Sequence, residues 1–158
     1  MKVTAAVTHK IGQLSIEEVE LDAPKASEAL IRIVAGGVCH TDAAGLQQII
    51  PVALPAVFGH EGVGIVEEVG VGVETLKKGD RVILTFPSCG VCPHCVAGHP
   101  FACDNMNDLF FNGTYKDGTH RVSQNGKPVS AFFGQGSFAT HCVVDARNAV
   151  KVDIESDE

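Results

Sequence analysis

Four of the six cysteines fall in one short loop, and that loop constrains the chain more than any other feature. Cys89, Cys92, Cys95 and Cys103 read C-x2-C-x2-C-x7-C, with Gly90 and Gly98 set where tight turns can aim several sulfurs at one point. Four thiolates complete a tetrahedral Zn²⁺ sphere and leave no open position, so such a metal would be structural and would staple a lobe of the fold. An iron–sulfur cluster also takes four cysteines, but its common spacings differ. Unligated thiols are the third reading, and chance rarely sets four of them at this spacing. Residues 1–11 lack the apolar stretch of a secretory signal. A cytoplasmic location with reduced thiols is therefore expected, and metal is preferred to a disulfide scaffold. His94 and His99 lie inside the loop and are expected to face solvent, because the cysteines already fill the sphere.

The rest of the chain reads as short strands and turns. β-Branched or alternating runs at residues 3–7, 14–21, 30–34, 65–69, 81–85 and 138–144 are separated by Gly, Pro, Asp and Asn. With 17 glycines and 6% aromatics in 158 residues, turns are favoured over a helical bundle. A partly open β-barrel in one domain follows, mainly β with a little helix (α+β). Residues 41–48 look helical, with Thr41 or Asp42 as N-cap, and residues 92–97 can form a helical turn. Lys78-Gly79-Asp80 marks a sharp reversal into the 81–85 run. Residues 112–128 are polar and long for a connection, so a functional or a mobile loop is expected there. A formal charge of −7, with Asp153, Glu155, Asp157 and Glu158 crowding the end, gives no basic footprint for nucleic acid or anionic lipid. The most apolar stretch, residues 49–58, is broken by Pro51 and Pro55 and is too short for a membrane helix.

A second constellation has different chemistry. Gly37-Val38-Cys39-His40-Thr41-Asp42 and Phe58-Gly59-His60-Glu61-Gly62 bring a thiolate, imidazoles, a hydroxyl and carboxylates. Catalytic zinc needs three protein ligands and one open position, and Cys39 with His60 supplies two. The Thr41 hydroxyl could bond an alcohol at the open position, and Asp42 could accept the other N–H of His60 and fix its tautomer. Spacing alone leaves a buried structural Cys and His as the simpler reading. Cys142 and His141 read as packing or surface residues, and His9 and His120 carry no signal.

Taken together the motifs resemble a known family. Cys39-His40-Thr41-Asp42, Gly59-His60-Glu61-Gly62-Val63-Gly64, Val69-Gly70, Gly79-Asp80-Arg81-Val82 and the four-cysteine loop occur in the order and spacing of zinc-dependent medium-chain alcohol dehydrogenases. The resemblance covers nearly all of residues 1–158 and is to the N-terminal GroES-like catalytic domain. Phe132-Phe133-Gly134-Gln135-Gly136-Ser137-Phe138-Ala139-Thr140 is similar to the aryl-alcohol (benzyl-alcohol) branch. The resemblance implies a GroES-like partly open barrel with short helices and a zinc-stapled lobe. It implies that Cys39 and His60 bind catalytic zinc, with Glu61 as an alternative ligand, and that Cys89, Cys92, Cys95 and Cys103 bind structural zinc. Thr41 would bond the substrate oxygen and start proton removal, Asp42 would support His60, and His40 would lie near the pyrophosphate of NAD(P). The implied reaction is oxidation of aryl or other hydrophobic primary alcohols to aldehydes, with zinc as Lewis acid and the nicotinamide as hydride acceptor. A homo-oligomeric parent enzyme is also implied.

Two departures from the family pattern matter. The relay histidine of the liver-type enzymes, three positions after the Thr or Ser, is Ala44 here. The family's third catalytic-zinc ligand, a cysteine, and its nucleotide-binding domain lie beyond the matching region, so the chain is expected to be inactive alone. It is also expected to hold one zinc tightly and a second weakly. Gly134-Gln135-Gly136-Ser137-Phe138-Ala139 formally matches a dinucleotide fingerprint, but a strand-like run follows where a helix is needed. Two other readings stand beside the main one. The segment Asp117-Gly118-Thr119-His120-Arg121 to Gly126-Lys127 also resembles the class III branch acting on S-(hydroxymethyl)glutathione, and a non-catalytic zinc-binding GroES-like module would share the architecture.

Overall fold

The computed structural model describes residues 1–153, so Glu155, Asp157 and Glu158 of the acidic end lie outside the described residues. The strands are β1 (Lys2–Thr8), β2 (Ser15–Leu21), β3 (Glu28–Gly36), β4 (Ala56–Val57), β5 (Gly62–Val69), β6 (Arg81–Leu84), β7 (Val122–Gln124), β8 (Lys127–Ala131), β9 (His141–Asp145) and β10 (Ala149–Lys151). Three short helices accompany them: α1 (His40–Leu46), α2 (Pro93–Val96) and α3 (Met106–Phe110).

One sheet closes on itself in the order β1-β2-β7-β8-β4, antiparallel except where β4 runs parallel to β8. Closure pairs both sides of every strand and hides the edges. The second sheet is open and antiparallel, in the order β10-β6-β5-β3-β9. The closed ring and the open sheet together make the expected partly open barrel. Alternation in sequence becomes alternation in burial: Val3, Ala5 and Val7 of β1 point inward, as do Val82 and Leu84 of β6. The closed sheet packs Val3, Val7, Val19, Leu21, Val57 and Val129 into one core, and the open sheet packs Ile31, Val66, Val82, Leu84 and Val144 into another. Burying each such side chain is worth about 1.5–3 kcal/mol. Cys142 belongs to the second core, where burial pushes its thiol up to about 12, so it packs as a small apolar residue.

Residues 112–128 differ from expectation, for they contain β7 and the start of β8. The turn between them is Asn125-Gly126, with φ of 52° and 73°, the pairing that a tight β-hairpin demands. The same segment is pinned by Arg121, whose Nε donates to Glu28 Oε2 at 2.9 Å and whose Nη2 donates to Glu28 Oε1 at 2.5 Å. Gly134 and Gly136 are followed by β9 and open no helix, so the formal fingerprint is a turn entering a strand. Among the described residues no helix is long and apolar enough to cross a membrane.

Candidate metal centres

The sulfur atoms of Cys89, Cys92, Cys95 and Cys103 all lie within 4.8 Å of one another. Cys92 caps α2, with Pro93 in the first turn where no N–H is needed, and its sulfur accepts the Cys95 N–H at 3.5 Å. Cys89 Sγ accepts the N–H groups of Val91 at 3.5 Å and Cys92 at 3.3 Å, and Cys103 Sγ accepts that of Cys89 at 3.3 Å. These bonds favour thiolate. The Val91 N–H above all brings Cys89 down to about 6, whereas burial pushes Cys95 up to about 12. Four crowded sulfurs cannot all carry charge unaided, and a divalent soft-to-borderline cation is the partner this donor set suits. His94 turns outward to Asp104 at 2.8 Å, and His99 is exposed, as expected. Arg147 Nη2 ties the loop to the barrel through Ser88 O at 3.0 Å.

The second cluster is assembled from two segments. Cys39 is the N-cap of α1: its sulfur accepts the Thr41 N–H at 3.5 Å while the Asp42 carboxylate accepts the Cys39 N–H at 3.0 Å. The cap is thus two to three residues earlier than the expected Thr41 or Asp42, because a cysteine sulfur here does the work usual for a Ser or Thr oxygen. Asp42 is buried, 4% exposed, and its other oxygen accepts the Gly59 N–H at 3.0 Å and lies 3.1 Å from His60 Nδ1. A carboxylate only accepts, so Nδ1 is the donor and the lone pair is left on Nε2 for a metal. Gly59 takes φ of 92°, and a Cβ there would press within 2.6 Å of the Phe138 nitrogen and Ser137 Oγ. Glycine is required at that turn.

One ligand atom each from Cys39, His60 and Glu61 lies within 4.8 Å of the others, so the Glu61 carboxylate stands within reach as a candidate third ligand. Its carboxylate occupies the space where a side chain on Gly37 would stand, and Gly37 N–H donates to Glu61 O at 3.1 Å. Gln135, 2% exposed, accepts the Gly62 N–H at 3.3 Å and donates to Thr85 O at 3.2 Å, bracing the next residue. The Thr41 hydroxyl lies 3.4 Å from Cys39 Sγ. His40 is exposed at the start of α1, and Ala44 is buried on the same helix. Phenylalanines enclose the imidazole: Phe133 is stacked at 4.8 Å, Phe132 meets it edge-on at 5.6 Å, and Phe86 lies at 6.3 Å. Phe110 extends that wall, 4.4 Å from Phe133 and 5.8 Å from Phe86.

Residues 25–154 match the alcohol dehydrogenase GroES-like domain family. The chain belongs to that family. It is 51% identical over 151 residues to geraniol dehydrogenase of Castellaniella defragrans, an alignment covering 94% of this chain and 40% of that protein. Among solved structures, an alcohol dehydrogenase zinc-binding domain protein of Burkholderia ambifaria superposes with a TM-score of 0.92 at 44% identity, covering 99% of this chain and 43% of the other. Benzyl alcohol dehydrogenase of Acinetobacter calcoaceticus gives 0.91 at 37% identity, covering 99% and 42%. The chain spans about two fifths of the length of the curated relatives it matches.

Within this GroES-like domain the sequence reading named the ligand candidates and the Asp42 support, but it gave Gly37 and Gln135 no role beyond their place in quoted motifs and missed Phe86 and Phe110. Gly37 precedes Cys39 by two positions, and a glycine so near a candidate ligand was the available signal. Phe86 and Phe110 carried none, since nothing in one sequence places one distant ring beside His60 and a second behind Phe133.

Proposed function

We propose that residues 1–158 are the catalytic domain of a zinc- and NAD(P)-dependent alcohol dehydrogenase that oxidises aryl or other hydrophobic primary alcohols to aldehydes. The observation that carries this reading is the Cys39, His60 and Glu61 cluster with Asp42 behind it, Thr41 beside it and phenylalanines around it. The four-cysteine loop would hold a structural zinc. Zinc held by Cys39, His60 and Glu61 would supply Lewis acidity toward an alcohol oxygen. Asp42 keeps His60 in the tautomer that ligates. Thr41 Oγ1 would hydrogen-bond the substrate hydroxyl and relay its proton, accepting it as the threonine's own O–H proton is handed on. Ala44 offers no onward acceptor, so that proton leaves for solvent. Phe86 and Phe110, which line one cavity, present apolar faces to the substrate's carbon skeleton while Phe133 shields the imidazole from water, and exposed His40 is the residue for the cofactor pyrophosphate.

Hydride transfer further needs a bound nicotinamide nucleotide, and turnover is expected only when residues 1–158 act together with a domain that binds one, the chain spanning about two fifths of the length of its relatives. The enzyme is read as cytoplasmic and homo-oligomeric, with small alcohols and aldehydes as partners and neither nucleic acid nor membrane. The class III alternative is disfavoured because Arg121, the fixed cation of the segment that resembles that branch, is 2% exposed and spent on Glu28 and Asp117. A non-catalytic module would have no use for the second cluster.

Zinc quantification tests the metal half of the proposal: two ions per chain are expected, with Cys103→Ser losing the tighter and Cys39→Ser the other. Absence of zinc after gentle purification refutes it. The catalytic half is tested by joining the chain to the nucleotide-binding portion of the geraniol dehydrogenase relative and following NAD(P)H formation. Geraniol and benzyl alcohol should be oxidised, and the unjoined chain should be silent. Turnover of S-(hydroxymethyl)glutathione alone would reverse the assignment.

A further inference from the structure

We infer that Phe133 is a positioning residue that clamps the His60 imidazole, acting with Asp42 to hold the ring for a metal. This rests on the reading of Cys39, His60 and Glu61 as a metal centre. Phe133 has φ of 52° and ψ of 32°, a left-handed conformation that is a genuine outlier for an aromatic side chain. Were reversal of the chain the only demand, glycine would meet it better, as Gly134 does next door with φ of 60°. The side chain therefore has a use that outweighs the strain.

That use is visible in the ring geometry. Neighbouring residues of an extended strand point to opposite faces. The left-handed turn instead brings the rings of Phe132 and Phe133, 4.6 Å apart, against the same imidazole. Phe133 lies on the face of His60, 27° from parallel, and Phe132 meets it at 79°. Asp42 fixes the ring in its own plane through Nδ1, and the two phenylalanines oppose rotation out of that plane. Phe133 is only 8% exposed and is held from behind by Phe110 at 4.4 Å.

The test is a cobalt(II) titration of the full chain, read by visible absorption, with the four-cysteine site as internal reference. Wild type is expected to take two ions. In Phe133→Gly, which relaxes the backbone but frees the imidazole, affinity for the ion at the Cys39 site should fall about tenfold or more while the four-cysteine site is unchanged. Phe133→Tyr, which restores a stacked ring, should recover to within about threefold of wild type on the same scale. A merely structural role would weaken both sites together and would not be rescued selectively. If Phe133→Gly fails to load the four-cysteine site, Phe133→Leu, which keeps apolar bulk without a flat ring, decides by the same comparison. A second-ion affinity equal to wild type in the Gly or Leu variant overturns the inference while leaving the metal reading intact. Failure of wild type to take a second ion overturns both.

Discussion

Asp42→Asn is the substitution that should most disturb the second cluster without altering its shape. The carboxylate accepts three hydrogen bonds from two chain segments: Cys39 N–H at one oxygen, and Gly59 N–H with His60 Nδ1–H at the other. An asparagine amide has one acceptor oxygen. If that oxygen keeps Gly59 and His60, the NH₂ group meets the Cys39 N–H, donor against donor. The charge-assisted bond so lost is worth about 1.5–3 kcal/mol, and a buried unsatisfied donor adds about 1–3 kcal/mol. The flipped amide loses two partners and is worse. A cost of about 3 kcal/mol follows, equivalent to a fall of about 10 °C in Tm for a chain of this size. His60 also loses the charge that polarises its ring, so the second metal should bind about 10–100-fold more weakly. Urea unfolding followed by circular dichroism, with the four-cysteine site kept loaded, measures the first quantity, and cobalt titration measures the second. A variant within about 0.5 kcal/mol of wild type, the ordinary range of surface substitutions, would refute the claim that Asp42 joins the two motifs.

Other perturbations separate the parts of the molecule. In Gly37→Ala the new Cβ meets the far end of the flexible, exposed Glu61 side chain, so stability should change by less than about 1 kcal/mol while second-metal affinity drops; unchanged affinity would show that Glu61 contributes nothing there. Arg121→Met strands buried Glu28 with only the Lys25 N–H at 2.9 Å and should cost about 3–5 kcal/mol, most of it recovered when Glu28→Leu is added; calorimetry of a double variant no better than the single would refute the buried-charge argument. Acid stability has a defined sign. For Asp117 and Asp145 burial acts to raise the pKa but is outweighed, for Asp117 by Thr119, Lys25 and Arg121 and for Asp145 by Arg147 and Lys116, so both are depressed on folding. Their contribution is therefore present above the unfolded carboxylate value of about 3.9 and is lost as pH falls through the lower folded values. Asp117→Asn should narrow the gap to wild type below pH of about 4, and a gap that widens on acidification would contradict the sign.

What a single sequence can reveal depended on how far apart the interacting groups lie along it. Strands announced themselves where apolar alternation was long, as in β1 and β2, because one buried face imposes a period of two. The short strands β4, β7 and β10 escaped, since two or three residues cannot display a period. Asn125-Gly126 was a usable hairpin signal within a segment whose polarity suggested a loop. The four-cysteine centre was legible because all its donors are local. The link from Asp42 to His60 could be proposed from chemistry alone, as a carboxylate near a candidate ligand histidine. The enclosure of His60 by Phe86, Phe132 and Phe133 could not, because it depends on β6 and the turn after β8 converging in space.

That contrast in locality gives the two centres different relations to the fold. The loop's sulfurs and the N–H groups that serve them lie within residues 89–103, so turns and metal can assemble it with little help from the barrel. The second cluster requires contacts between residues 17 and 18 apart at Asp42, and 73 apart where Gln135 braces Gly62. It can exist only when both sheets are in place. Gradual denaturation of the cobalt-loaded chain should therefore release metal in two steps, with the Cys39 ion leaving alongside the loss of β signal and the four-cysteine ion persisting to higher denaturant. Arg147, which joins the loop to the barrel through Ser88, is the contact that could couple them. Release of both ions in a single step by wild type, and in two steps only after Arg147→Ala, would mean that the loop depends on the barrel and would refute its independence.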